Sequence, residues 1–405
     1  MTYPIIFLYI SAIFCNVAFG LGPNLYPLRL ILPLVLMYFS ALFFQKIILL
    51  KEKIRIDALL LFTILFFGFM FAHTSIVTYL RFELLNAHFE LNSVLNYAVL
   101  IALVFSIISV AITERNKFFK QFNYLVLIFY ILYACYALFE IVTGNHLETS
   151  NLAKAPWWMR HSPTVVFYNS NDFAAVFSLM LFYITSTFDK NKSWPNGLVI
   201  LLMLIHIIII YYSMSRLALI LVTLFFVYRY PKQLLISLAL SFPLALIYFG
   251  LANESQLMKT YDSIISLKND LAFNERESTS VRMHLYKYAL LSPLSNFGMG
   301  FGIDYSAEYY KSINDPNLHY IVNPHSFMFE LLINSGVLIS LFYIVLNAFL
   351  IIKNFTLRNY DTMIQIVLFN LILFSSSSSL FLWPIYFFMY FYFVWADDKI
   401  DLIET

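Results

Sequence analysis

The chain reads as an all-α integral membrane protein, one polytopic domain over 1–405 with about 12 transmembrane helices and a long extracytoplasmic loop at 252–324. Three observations predict this. Of its 405 residues, 61% are hydrophobic and 12% charged, with a mean hydropathy of +0.77; a soluble domain is roughly 45–50% apolar and about 25% charged. A water-soluble fold of that composition would expose large apolar patches, which soluble monomers avoid. Backbone groups inside a bilayer must pair internally, which leaves helices or closed barrels. Barrel strands alternate in polarity, whereas 198–210 and 337–352 are nearly continuous apolar sequence.

A span needs about 20 mostly apolar residues. That rule places helices near 4–20, 27–48, 57–73, 93–112, 122–143, 170–188, 197–213, 216–230, 233–251, 325–352, 362–381 and 384–396. The first stretch has no basic residue before Arg29 and no small-x-small cleavage site, so it reads as a retained helix. Cys15 and Cys135 lie inside apolar stretches and read as small buried hydrophobes. The net charge of +2 argues against nucleic acid as a partner.

Charge sets the expected orientation. With the N-terminus inside, the cytoplasmic connections carry fourteen Lys and Arg, from Lys46 to Lys399, against Arg29, Arg81, Lys154, Arg160 and Arg216 outside. Short cytoplasmic loops are enriched in Lys and Arg, so both termini are expected in the cytoplasm and 252–324 outside. Within that loop, Val281, Leu285, Tyr288 and Leu291 recur at helical spacing beside Arg282 and Lys287, which predicts an amphipathic helix at the membrane surface. Gly298, Gly300 and Gly302 then mark a sharp turn.

The polar residues of the outer side supply the candidate chemistry. His161, His319 and His325 are among seven histidines expected there, with His206 alone placed mid-span. Each is explained equally by the ordinary polarity of loops. Arg216 in Ser213-Met214-Ser215-Arg216 either snorkels to headgroups or binds an anion, and its place on the face poor in positive charge favours the anion. Arg282 reads as a solvated charge unless a ligand recruits it. His325, in Asn323-Pro324-His325-Ser326, opens a helix whose dipole favours its neutral, basic form. Glu330 lies about 140° around that helix from His325, so a partner on another helix is expected. Asn169, Asn171 and Asp172 open the 170–188 helix after a loop carrying Trp157, Trp158, Arg160 and His161. Helix capping is their plain reading. Asp397, Asp398 and Asp401 lie in the cytoplasmic tail, and no metal-ligand spacing or cofactor motif stands out.

Four stretches, in order, resemble the O-antigen ligase and Wzy polymerase family of bacterial envelope glycosyltransferases. They are Tyr168–Ala174, Ser213–Arg216, Ser280-Val281-Arg282 with Pro293 and Gly298–Gly302, and Asn323–Ser326 followed by Glu330 and Gly336. Serine at 326 departs from the usual asparagine after the histidine. The resemblance covers about 165–350 and implies a membrane-embedded (GT-C-like) glycosyltransferase fold in the bacterial plasma membrane. It implies an undecaprenyl-diphosphate-linked oligosaccharide donor and acceptor, no metal or other cofactor, and a chain-length regulator and a flippase as further partners. On that reading Arg216 and Arg282 neutralise the diphosphate, His325 acts as general base, and Asn169, Asn171, Asp172, Arg160, His161, His319 and Glu330 line the substrate site. Polymerase and ligase share this chemistry and differ only in acceptor; the versions at 169–174 and 323–330 resemble polymerases more closely. A lipid-linked sugar flippase is the alternative of another class, though such transporters often carry internal repeats and midplane sites that this sequence does not show.

Overall fold

The computed structural model describes residues 27–45, 58–85, 91–148, 150–155, 160–189, 194–239, 278–303, 306–313, 315, 318, 324, 326–375, 390 and 393. These form α1 (Pro27–Phe44), α2 (Ala58–Leu85), α3 (Leu91–Thr143), α4 (Ser170–Phe188), α5 (Asn196–Tyr212), α6 (Arg216–Arg229), α7 (Ser278–Ser295), α8 (Ser306–Ser312), α9 (Phe327–Thr356) and α10 (Tyr360–Ser375), with 231–239 also helical. Among the described residues there is no strand. Four stretches are long and apolar enough to cross a bilayer: Leu59–Glu83, Gln121–Thr143, Ser170–Phe188 and Phe327–Thr356. The helices expected at 4–20 and over most of 384–396 lie outside the described residues.

Side-chain contacts give the direction of each helix. Phe62 packs against Phe349, Phe66 against Phe342 and Tyr343, and Thr74 against Ser335, so α2 and α9 run antiparallel. Arg229, at the end of α6, donates to Thr185 O (3.0 Å) near the end of α4 and to Asp361 Oδ2 (2.5 Å) at the start of α10. The C-terminal ends of α4, α6 and α9 therefore meet at one end of the bundle. The N-terminal ends of α4 and α6, at Ser170 and Arg216, and the start of the second half of α9, after its break at Gly336, share the other, the rim; the first half of α9 doubles back, bringing the Phe327 ring 5.3 Å from that of Tyr343.

One expectation changes form. The spans placed at 93–112 and 122–143 belong to one helical element of 53 residues. A straight helix of that length would measure about 80 Å, far more than the about 40–45 Å of a bilayer with its headgroups. Tyr97 reaches the carbonyls of Met70 and Phe71 as the chain leaves the rim, while Phe122, Tyr130 and Tyr133 meet Tyr183, Phe177 and Phe173 as it returns. The direction reverses between Tyr97 and Phe122, so the expected connection is a helical corner.

Helix α4 is buried from Asp172 to Thr185 and forms the axis of the bundle. A helix apolar on every side belongs inside a protein or membrane. Tyr130, Phe177 and His206 stack at centroid distances of 4.6 and 4.5 Å, and Tyr130 Oη is 3.0 Å from His206 Nδ1. His206 thus serves the core. Cys135, expected to be buried, is exposed, on the outward side with Ile128, Ile131, Leu132 and Phe139. In a membrane protein that side meets lipid, so outward residues need not be polar and apolarity alone does not mark burial.

Candidate functional site at the bundle rim

Helix starts build the rim. At α4, Asn169 has extended backbone (φ −131°, ψ 158°), its Oδ1 accepts from Asp172 N (2.9 Å), and its Nδ2 donates to Asp172 Oδ2 (2.7 Å). The first bond caps the helix, satisfying an amide that a helix start leaves unpaired, and the second ties the two side chains together. Asn171, between them, is exposed. At α6, Ser213 Oγ donates to Ile210 O (2.6 Å), and Met214 adopts φ 58° to turn the chain sharply. Arg216 emerges from that turn exposed. At α9, Ser326 and Glu330 are buried. Helices α4 and α6, beginning together, aim the positive ends of their dipoles at one region, a setting that favours an anion.

A compact loop covers the rim beside α4. Glu140, fully buried, accepts from the amides of Thr164 and Val165 (both 2.7 Å) through Oε2, and its Oε1 lies 2.8 Å from His146 Nδ1. His146 Nε2 is 2.6 Å from the carbonyl of Arg160. A carboxylate and a carbonyl both accept, so this geometry calls for protons on both ring nitrogens. Burial opposes that charge, but the hydrogen bond and charge of Glu140 and the Arg160 carbonyl outweigh it and raise the His146 pKa above the usual histidine value. Arg160 Nε donates to Ala155 O (2.5 Å) and His161 Nδ1 to Ile141 O (2.8 Å). Both residues expected to touch substrate therefore also hold this loop together.

The second cover comes from the long loop, folded over the start of α9. Val281, Leu285 and Ala289 of α7 form a small core with Tyr310, Leu318, Phe329 and Ile333. The expected stripe through Tyr288 and Leu291 is rotated: Ser292 is buried and Leu291 exposed. The helix packs on α9 as well as presenting an apolar side outward. Arg282 acts electrostatically on Tyr286, whose ring stacks on Phe329 at 4.4 Å. Burial, then the charges of Tyr309, Glu330 and Tyr286, raise the Tyr310 pKa above its ordinary value. The charge of Glu330 thus reaches Tyr310, a residue of another helix, α8. Arg282 and Glu330 thus flank one aromatic group, Tyr286, Phe329 and Tyr310.

The glycines lock this cover in place. Gly336 breaks α9 with φ 83° and ψ −179°, a region essentially reserved for glycine. Groups freed by the break pair with the turn after α7: Phe301 N donates to Ile333 O (2.7 Å), Gly302 N to Asn334 O (2.9 Å), and Val337 N to Gly298 O (2.9 Å). A Cβ at Gly300 would lie 2.6 Å from both Asn334 O and Gly336 N, so the two backbones touch without side chains between. Helix α2 grips the same turn. His73 Nε2 meets Met299 O (2.8 Å), Thr78 Oγ1 accepts from Ile303 N (2.8 Å), and Arg81 donates to Phe301 O (3.1 Å).

Of the residues singled out in sequence, Asn169, Asn171, Asp172, Arg160, His161 and Arg216 lie at the rim, with Glu330 buried in the first half of α9 and Arg282 on the helix packed against it. His319 and His325 fall outside the described residues. Sequence reasoning missed Glu140, although a carboxylate closing a long apolar run is a signal. It also counted Arg229 as a loop charge, whereas Arg229 is buried. Among the described residues, no group of three or more His, Cys, Asp or Glu could hold a metal.

Comparison with known proteins covers this same region. Residues 198–344 match the family described as O-antigen ligase. The chain is also 27% identical over 220 residues to the teichuronic acid biosynthesis protein TuaE of Bacillus subtilis (strain 168). That alignment takes in 52% of this chain and 44% of the relative, less than half of the relative's length. No solved structure matches. The matched segment contains Arg216, Arg282, the glycine interlock and Glu330, and it is through this segment that the chain is similar to the O-antigen ligase family.

Proposed function

We propose that the protein is a membrane glycosyltransferase that polymerises polysaccharide repeat units carried on undecaprenyl diphosphate, working at the rim on the outer face of the plasma membrane. One observation carries the reading. Arg216 is exposed at the end of the bundle where α4 and α6 begin, and Arg282 lies on α7, which the interlocked glycine turn fastens to α9. In the proposed reaction a hydroxyl of the acceptor glycan attacks the anomeric carbon of the donor. The bond from that carbon to the diphosphate oxygen breaks, and the lipid diphosphate leaves with the electron pair. Arg216 and Arg282, aided by the helix dipoles, neutralise the leaving charge through charge-assisted hydrogen bonds. His325 takes the hydroxyl proton as general base, a role worth about 10²–10⁴-fold. Asn169, Asn171, Asp172, Arg160, His161, His319 and Glu330 orient the sugars.

The test is to incubate the purified protein in proteoliposomes with a single lipid-linked repeat unit. A ladder of lengths is the expected result. The matched family is described as O-antigen ligase, which favours a second reading: transfer of a finished glycan to a different acceptor. A single transfer to another acceptor, with no ladder, would replace polymerase by ligase. Movement of the lipid across the bilayer with no new glycosidic bond would overturn both.

A further inference from the structure

Helix α9 carries its own depth scale. The half of α9 that follows the break at Gly336 carries an uncharged run, 337–352, closed by Lys353; it is about 24 Å long, shorter than the about 30 Å of a hydrocarbon core. Val337, which donates to Gly298 O, begins this run. Measured from Lys353, the turn after α7 therefore lies within the thickness of that core.

The surface chemistry of that turn agrees with its depth. Phe297 is 97% exposed and Leu294 80%, with Leu290, Leu291 and Met299 exposed beside them. On α9 itself, Ile333, Ser335 and Gly336 are buried, and exposed apolar residues begin at Leu338 and continue through Leu341 and Ile344. The outward apolar surface of the span passes from α9 to the tip of α7 where α9 breaks. The backbone also fits. Non-helical chain at membrane depth requires its polar groups to be paired within the protein, and the Gly336 break supplies partners for Gly298, Phe301 and Gly302.

We propose that the tip of α7, residues 290–299, is a re-entrant lipid-contacting wedge, with Leu294 and Phe297 seated among the acyl chains of the bilayer. The wedge ties the level of Arg282, more than three turns earlier on the same helix, to the membrane surface. The inference needs only that α9 spans the membrane, and it stands whatever reaction the rim performs.

The test places single cysteines at Phe297, Leu294 and Lys287 in a Cys15→Ser, Cys135→Ser background, in lipid nanodiscs that leave both faces open. Lys287 is exposed on the same helix and serves as the aqueous reference. A charged, membrane-impermeant maleimide is expected to label Phe297→Cys and Leu294→Cys at least ~10-fold more slowly than Lys287→Cys, because lipid excludes both water and the reagent. Nitroxides at 294 and 297 should relax with oxygen and be shielded from a water-soluble nickel chelate. Labelling at 297 or 294 as fast as at 287 would overturn the proposal by placing the tip in water. Shielding from both oxygen and nickel would overturn it by showing protein against the tip. Neither readout depends on glycan transfer, so failure here is distinct from failure of the polymerase reading.

Discussion

Arg216 opens helix α6 and Arg229 closes it, and the two ends of the bundle treat them differently. Arg229 is 2% exposed, bonded to Asp361, to the carbonyls of Thr185 and Asp189, and to Tyr230 Oη. Its donors hold three helix ends together, and Tyr230 Oη in turn donates to Asp189 Oδ2 (2.5 Å). At the rim, cohesion comes instead from backbone pairing at Gly336, from the Asn169 cap and from Glu140, while Arg216 is exposed. A buried guanidinium bonded to several acceptors of the fold stabilises it; an exposed one beside helix starts is within reach of an anionic ligand from solution.

That contrast can be broken by experiment. The largest effect is expected from Gly336→Ala. It forces a Cβ against the backbone of Gly298–Gly300 at a strained φ, so the folded protein recovered in detergent should fall to a small fraction of wild type. Arg229→Ala leaves Asp361 and buried carbonyls without their donor and should cost about 3 kcal/mol, at the low end for a broken buried pair because Asp361 is 31% exposed. Thermal unfolding in detergent checks this, and activity per folded molecule should hold. Arg216→Ala and Arg282→Ala should do the reverse: transfer falls by at least about 10²-fold while stability stays within about 0.5 kcal/mol. If Arg216→Ala unfolds the protein as readily as Arg229→Ala, the contrast between the ends fails.

The smallest effect concerns pH. The His146 pKa is raised in the folded state, so its ion pair with Glu140 contributes fully below the unfolded histidine value, near about 6.5. That contribution is lost as pH rises through the raised folded value. Hydrogen exchange across 144–168 should therefore quicken, beyond its intrinsic pH dependence, as His146 loses its proton. Glu140→Gln should lower the His146 pKa and move that transition to lower pH.

Much of the bundle was legible because lipid imposes a one-dimensional rule. The runs at 27–44, 170–188, 196–212 and 216–229 are helices close to where apolarity and the turn at Ser213–Arg216 place them. Some placement was legible too: Asn169–Asp172 and Arg216 interrupt apolar sequence at helix starts, and both fall at one end. The rotated face of α7 was not legible, because Leu291 and Ser292 sit one residue apart and only packing on Phe329 and Ile333 selects between them. Nor was Cys135, since a lipid-facing side chain and a core side chain have the same polarity.

By itself, then, the sequence determined that this is a helical membrane protein, where its helices turn, and which polar residues stand at their starts; composition and spacing act locally and need no partner. The tertiary structure decided that the corner of α3 stays helical, that Arg229 is consumed by the fold, and that Gly336 opens a helix so another backbone can dock. Those outcomes depend on which groups are left unpaired once neighbours are in place, a property of pairs of segments far apart in the chain.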